Sequence, residues 1–171
     1  MVYGQQPPAL VSRKAVAREE RSRYAAPMMS LFRRSRVWMA AFFLMGWFAA
    51  SYLLYEYLTG GPIACGSAGC DLVRASDWAY IGPIPQPLLG VVFYTGMLGL
   101  LVVRALTDRW AAQLRTLTFI GASIGLLEST ILFFVQWLDV KAFCTWCLAS
   151  GVATLGAWLF AWGDRPPKDA T

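Results

Sequence analysis

The chain has 171 residues, of which 57% are apolar and only 15% charged, and its mean hydropathy is +0.48. An ordinary soluble domain is excluded, because the apolar residues fall into runs of roughly 20, the length that crosses a bilayer as a helix. The formal net charge of +5 lies mostly between and outside those runs, so it is a topology signal and does not imply a nucleic-acid surface.

In chain order, residues 1–36 are expected to form a polar, mostly disordered tail, with a weak helical signal around 13–23 and basic charge that can touch anionic lipid. The first span is predicted at 37–58, "VWMAAFFLMGWFAASYLLYEYL". The connection at 59–87 is the longest. It opens with "TGGPIACGSAGC", whose glycines and small residues predict a mobile arm. Residues 71–80, "DLVRASDWAY", can make one short amphipathic helix lying along the membrane surface, with Leu72, Val73, Ala75, Trp78 and Ala79 on its apolar side. Three prolines in "IGPIPQPLLG" then force an extended or turning chain. Spans two and three are predicted at 88–106 and 117–138. Span four follows at 142–162, after a connection of a few residues that makes spans three and four a tight hairpin. Residues 163–171 are a polar end whose Pro pair stops the last helix. The fold class is therefore an all-α integral membrane protein: a four-helix bundle with a short horizontal helix in its first outer loop. Four runs this apolar leave almost no polar face for a soluble helical bundle, and period-2 alternation for a barrel is absent.

Charge orients the bundle. Thirteen of the Lys and Arg residues lie before span one, between spans two and three, or after span four. Only Arg74 and Lys141 lie on the other side. The positive-inside rule then makes both termini cytoplasmic. All four cysteines fall on the outer face of the plasma (bacterial inner) membrane, the oxidising side where disulfides persist.

The cysteines form two pairs. Cys144-Thr-Trp-Cys147 places two thiols three apart at a helix start, where the helix dipole favours a thiolate and Asp139 is a candidate N-cap. A bridge that tight suits exchange more than stapling. Cys65 and Cys70, separated by "GSAG", close too short a loop to gain much as a staple. Three readings are open: two structural disulfides, a four-cysteine zinc site, or a redox relay. The zinc reading is weakened by the absence of histidine and by the position of CxxC inside a membrane helix. The relay explains why one pair is mobile and the other fixed. A lipid-soluble two-electron acceptor, a quinone, would suit its inner end. Trp78, Tyr80, Phe93, Tyr94, Phe133, Trp137 and Trp146 are candidates to pack a flat ring, as are Phe134 and Phe143. Gln136, about one turn from the end of its helix, is a candidate polar contact. Interfacial aromatic belts explain many such residues equally well.

Four spans, a thiol pair in the first outer loop and CxxC at the fourth span resemble the vitamin K epoxide reductase (VKOR) family. "SDWAYIGPIPQPLLGVVFY" is similar to that family's stretch from a loop serine to the second span, and "FCTWCLAS" to its bacterial CxxC signature. The resemblance implies that Cys65 and Cys70 are the shuttle pair and that Cys65 exchanges with a thioredoxin-fold partner outside the membrane. Cys70 then links to Cys144, and Cys147 faces a ubiquinone or menaquinone. Ser76 matches the loop serine that shapes the pocket. No thioredoxin domain is fused within these residues, so the partner is expected as a separate chain. Trp78 and Gly151 stand where vertebrate members carry a quinone-binding Asn and Tyr, so epoxide reduction is not carried over. The quinone-linked DsbB oxidases have the same parts with the two pairs in reversed order.

Glu128 stands in the middle of span three, where a bare carboxylate is costly. It is expected to be neutral and hydrogen-bonded or to serve a proton relay. Gly99, Gly121 and Gly125 are expected to permit close helix contact.

Overall fold

A computed structural model describes residues 13–65, 68–107 and 109–164, with side chains from Ser35 onward. The chain divides into a unit of residues 1–34 and a unit of residues 35–171. Helix α1 is Arg13–Thr59. Residues 13–36 are thus helical where the sequence predicts a disordered tail. The Ala, Arg, Glu and Met content of this segment explains the difference, since these are strong helix formers. The expected C-terminal tail beyond Asp164, with its Pro pair, lies outside the described residues, as do Gly66 and Ser67 of the predicted mobile arm.

Four segments are long and apolar enough to cross a membrane: Ser35–Thr59, Gln86–Leu106, Ala111–Val140 and Thr145–Gly163. The second is helix α3 (Gln86–Leu106). The third is helix α4 (Ala111–Val135) continued by a π-helical turn, Gln136–Val140. The fourth is helix α5 (Thr145–Gly163). The third span begins ahead of the predicted residue 117, because "AAQLR" extends the helix with good formers before the apolar run starts.

Helices in lipid gain little from burying apolar surface and are held by close packing. The core shows this. Met39, Phe43, Tyr94, Met97, Leu101, Ala122, Ala157 and Ala161 form one cluster. Glycines let bulky groups in: the Tyr94 ring fills the space where Gly46 would carry a Cβ, and Phe93 does the same at Gly125. Gly121 also behaves as expected, against Met97, whereas Gly99 has nothing near it and takes no part in a helix contact. The end of the bundle away from the cysteines is closed by a buried ion pair between Arg104 of α3 and Asp164 after α5. Arg104 also reaches Thr118 Oγ1 of α4 at 3.5 Å. A buried charge needs such a partner, since alone its desolvation would cost several kcal/mol.

The expected horizontal helix is broken in two. Helix α2 (Gly69–Arg74) is followed by a 3-10 turn at Asp77–Ala79. Ser76 lies between them in extended geometry, φ −78° and ψ 155°, with its Oγ donating to Val73 O at 2.7 Å. A serine that bonds its own local backbone competes with helix continuation. Leu72 and Trp78 are more than half exposed, so the predicted apolar side is only partly covered. The proline-rich stretch then makes a two-residue antiparallel ladder, β1 (Tyr80–Ile81) with β2 (Ile84–Pro85). Gly82 takes the positive φ, +62°, that the first position of this tight turn demands.

Candidate functional site

The loop and the start of α5 meet at one end of the bundle. Leu53, Ile63, Cys70 and Cys144 form a buried cluster there, with Cys65, Cys147, Val73 and Trp146 packed around it. Cys65 and Cys70 are joined as a disulfide, and Cys144 and Cys147 are free thiols. The sulfurs of Cys65, Cys70 and Cys144 all lie within 4.8 Å of one another.

Several local features create that proximity. Lys141 adopts the left-handed conformation, φ 53°, and Ala142 N–H bonds Gln136 O at 3.1 Å, so the chain reverses sharply after the π-helical turn. Gln136 Oε1 accepts from Cys144 N–H at 2.8 Å and fixes the residue before α5. Cys144 itself is the N-cap: its Sγ accepts from Cys147 N–H at 3.4 Å. The predicted cap, Asp139, is instead engaged across the loop, where its Oδ2 accepts from Trp78 Nε1 at 2.6 Å. On the loop side, Gly69 lies so close to the Phe143 carbonyl that a Cβ would not fit, which brings Cys70 against Cys144.

The Cys65 arm is less free than its composition predicts. Tyr52 Oη accepts from Ala64 N–H at 2.8 Å, and Trp146 Nε1 donates to Ala64 O at 2.8 Å, so both polar groups flanking that residue are held. The two rings contact one another, with centroids 4.6 Å apart. Each such bond is worth about 1 kcal/mol, enough to dock the arm while letting it open. Further along, Arg74 Nη1 donates to Gly61 O at 2.7 Å and ties the start of the arm to α2.

Beneath the loop lies a cavity of about 480 Å³ between α1, α3, α4 and α5. Its walls are largely apolar, including Leu53, Val73, Phe93, Leu132 and Phe133, and its polar lining includes Ser76, Gln86, Glu128, Gln136 and the Cys147 thiol. The volume is in the range of small-molecule sites. Cys147 lines this cavity and Cys144 does not; Cys144 instead lies against the loop cysteines.

Of the sequence candidates, Ser76, Trp78, Phe93, Tyr94, Phe133 and Gln136 line the cavity. Tyr80, Trp137 and Trp146 do not. Tyr80 is on the short ladder, beside Tyr57 and facing a second hollow. Trp137 stacks on Phe134 and is 55% exposed on the outside of the bundle, because the π-helical turn rotates it away. Trp146 turns toward the Cys65 arm. Tyr94 is a tie more than a free contact: its hydroxyl meets Ser150 O at 3.0 Å, Ser150 Oγ at 2.7 Å and Thr154 Oγ1 at 2.7 Å. Two residues the sequence did not single out, Tyr57 and Gln86, also line the cavity. Tyr57 lies in no motif, Gln86 lies within the "SDWAYIGPIPQPLLGVVFY" stretch without a chemical signal of its own, and only the packing of α1 and α3 under the loop brings them there.

The chemistry of Cys144 follows from its surroundings. A hydrogen bond from the Cys147 thiol lowers its pKa from the ordinary 9.0 to about 7. Burial opposes this, and the backbone N–H groups of Cys147 and Trp146 add to the lowering. A thiolate there is a competent partner for disulfide exchange with Cys70.

Residues 37–162 match the family model of the vitamin K epoxide reductase family. The chain belongs to that family. The VKOR match covers the four spans, the loop and both cysteine pairs. It makes the chain a multi-pass membrane thiol oxidoreductase, and the cysteines lie near one another.

Proposed function

We propose that this VKOR-family protein reoxidises a thioredoxin-fold partner and passes the electrons to a membrane quinone, supporting disulfide formation in exported proteins. The distribution of Lys and Arg supports placing the cysteine end on the outer face of the plasma membrane. One observation carries the reading. The sulfurs of Cys65, Cys70 and Cys144 lie within 4.8 Å of one another, while Cys147 of the same CxxC faces an apolar cavity.

The partner's dithiol reduces the Cys65–Cys70 disulfide and leaves as a disulfide. The Cys70 thiolate then attacks Cys144 of an oxidised Cys144–Cys147 pair. A Cys70–Cys144 bond forms, and Cys147 leaves as a thiolate that takes up a proton released by the partner's dithiol. Cys65 next attacks Cys70, remaking the loop disulfide and releasing Cys144. The result is the state described here, with the loop pair joined and the CxxC pair free. The cavity suits a quinone ring: its size, its aromatic walls at Phe93, Phe133 and Trp78, and its sparse polar groups at Ser76 and Gln136 fit a flat molecule with two carbonyls. A bound quinone supplies a two-electron, two-proton acceptor. Cys147 gives this chain a thiol at the cavity wall, and Cys144 closes the disulfide behind it.

The test is quinone reduction by the purified protein with a thioredoxin-like dithiol donor, compared for ubiquinone and menaquinone analogues. In parallel, Cys147→Ser should accumulate a Cys70–Cys144 bond on non-reducing gels. A folded preparation that turns over neither analogue would remove the enzyme reading. A Cys147→Ser protein holding only the Cys65–Cys70 bond would favour a scaffold stapled at its outer face.

A further inference from the structure

Among the described residues, Glu128 is the one carboxyl lining the cavity, and the relay above leaves it unused. No ion pair reaches it among the described residues. Its hydrogen bond comes from Gln86 Nε2, at 3.4 Å to Oε1. The other end of that amide, Gln86 Oε1, is buried and has no partner among the described residues. A carboxylate cannot answer an orphan acceptor, but a protonated carboxyl can. An ionised carboxylate in the hydrocarbon region is in any case costly.

The position of the pair is equally informative. A second hollow of about 610 Å³ runs from Asp77, Tyr80 and Ile81 of the loop to Ile124 and Leu127 of α4. Glu128, Gln86, Trp78 and Leu132 belong to both hollows and form the wall between them. Glu128 therefore stands between the cavity lined by Cys147 and a second hollow whose loop side carries Asp77 and Tyr80.

Proton counting gives that position a use. Reducing a quinone to a quinol takes two electrons and two protons. If Cys144 reacts as a thiolate and Cys147 as a thiol, the pair supplies both electrons but only one proton. We propose that Glu128 is the catalytic acid that delivers the other proton, and that Gln86 holds it in its protonated form between turnovers. In the balanced step the Cys144 thiolate, the Cys147 thiol, the Glu128 carboxyl and a quinone become the Cys144–Cys147 disulfide, the Glu128 carboxylate and a quinol. Glu128 is then reprotonated from the loop side of the second hollow, where Asp77 and Tyr80 lie. The other titratable groups facing this region are Tyr57 of α1, Tyr94 of α3, Cys147 of α5, and Asp77 and Tyr80 of the loop. Tyr94 is already engaged by Ser150 and Thr154.

This inference rests on the proposed quinone reaction, so its test separates the two. The variants are Glu128→Gln, which keeps the shape and loses the acid, and Glu128→Asp, which restores it. Three readouts apply: binding of a short-chain quinone analogue by tryptophan quenching, the rate of quinone reduction against pH, and the infrared difference spectrum of the carboxyl region on reduction. Glu128→Gln should bind the analogue within about threefold of the parent protein and still form the Cys70–Cys144 bond in a Cys147→Ser background. Its quinone reduction should be about 100-fold slower, in the range of lost general acids; the parent's rate should fall at alkaline pH, and that fall should disappear in the variant. The protonated-carboxyl band should vanish, and Glu128→Asp should recover much of the rate. An unchanged rate and pH profile in Glu128→Gln, with the parent turning over, would overturn the acid role alone. Loss of analogue binding in Glu128→Gln would also overturn it, making the residue a binding group. Absence of turnover in the parent would instead overturn the quinone reaction.

Discussion

Gly69→Ala tests how closely the loop must approach α5. An alanine Cβ there would lie 3.0 Å from the Phe143 carbonyl carbon and 3.2 Å from its nitrogen, and closer still to its oxygen. These are backbone atoms, which cannot swing aside as the end of a long side chain can. The first turn of α2 must therefore back away by roughly 1 Å. Cys70 is the next residue, and its sulfur moves with that turn, away from Cys144. Misplacing reacting atoms by about 1 Å costs on the order of 100-fold in rate. The assay is the rate at which the Cys70–Cys144 bond forms in a Cys147→Ser background, together with quinone reduction driven either by a thioredoxin-like donor or by a small dithiol that reaches Cys144–Cys147 directly. Donor-driven turnover and bond formation should fall by about 100-fold, and small-dithiol turnover should stay near its original rate. Gly69→Ala forming the bond at the parent rate would refute the reasoning.

Three further outcomes follow from contacts at the site. The pH profile of iodoacetamide labelling at Cys144 should show a midpoint near pH 7, its thiolate fraction rising with pH through that value. In Cys147→Ala the midpoint should move up toward 9, because the largest cause of the lowering is removed. Gln136→Ala should leave Cys144 N–H without its acceptor and lower stability by about 1–3 kcal/mol, read by thermal unfolding in detergent. Trp146→Phe keeps ring contact with Tyr52 but loses the bond to Ala64 O, so hydrogen exchange at Ala64 and Cys65 should speed up about fivefold, as loss of about 1 kcal/mol of local closure requires.

Much of this architecture was readable along the chain. Runs of about 20 apolar residues leave few alternatives to spanning helices, and the predicted spans end within a few residues of the observed ones except at the start of α4. The two thiol pairs announced exchange chemistry because CxxC spacing at a helix start has few structural uses. What stayed hidden depends on contacts between distant parts of the chain. Tyr52 and Trp146 clamp Ala64 from two different helices, so a segment that looks flexible by composition is docked. The Gly69–Phe143 approach is invisible for the same reason: a glycine in a Gly-rich loop looks like freedom, and only its neighbour shows it to be a close fit. Aromatic residues at the membrane edge were the least legible. Phe93 and Phe133 turn inward while Trp137 turns outward, and the π-helical turn that separates them leaves no mark in hydropathy.

The buried Arg104–Asp164 pair also bears on the energetics of the membrane as a whole. It ties α3, α4 and the end of α5 together at the end remote from the thiols. Under the proposed quinone reaction, protons taken up at the thiol end would leave turnover without net charge movement between compartments. Quinone reduction would then respond little to a voltage imposed across sealed vesicles.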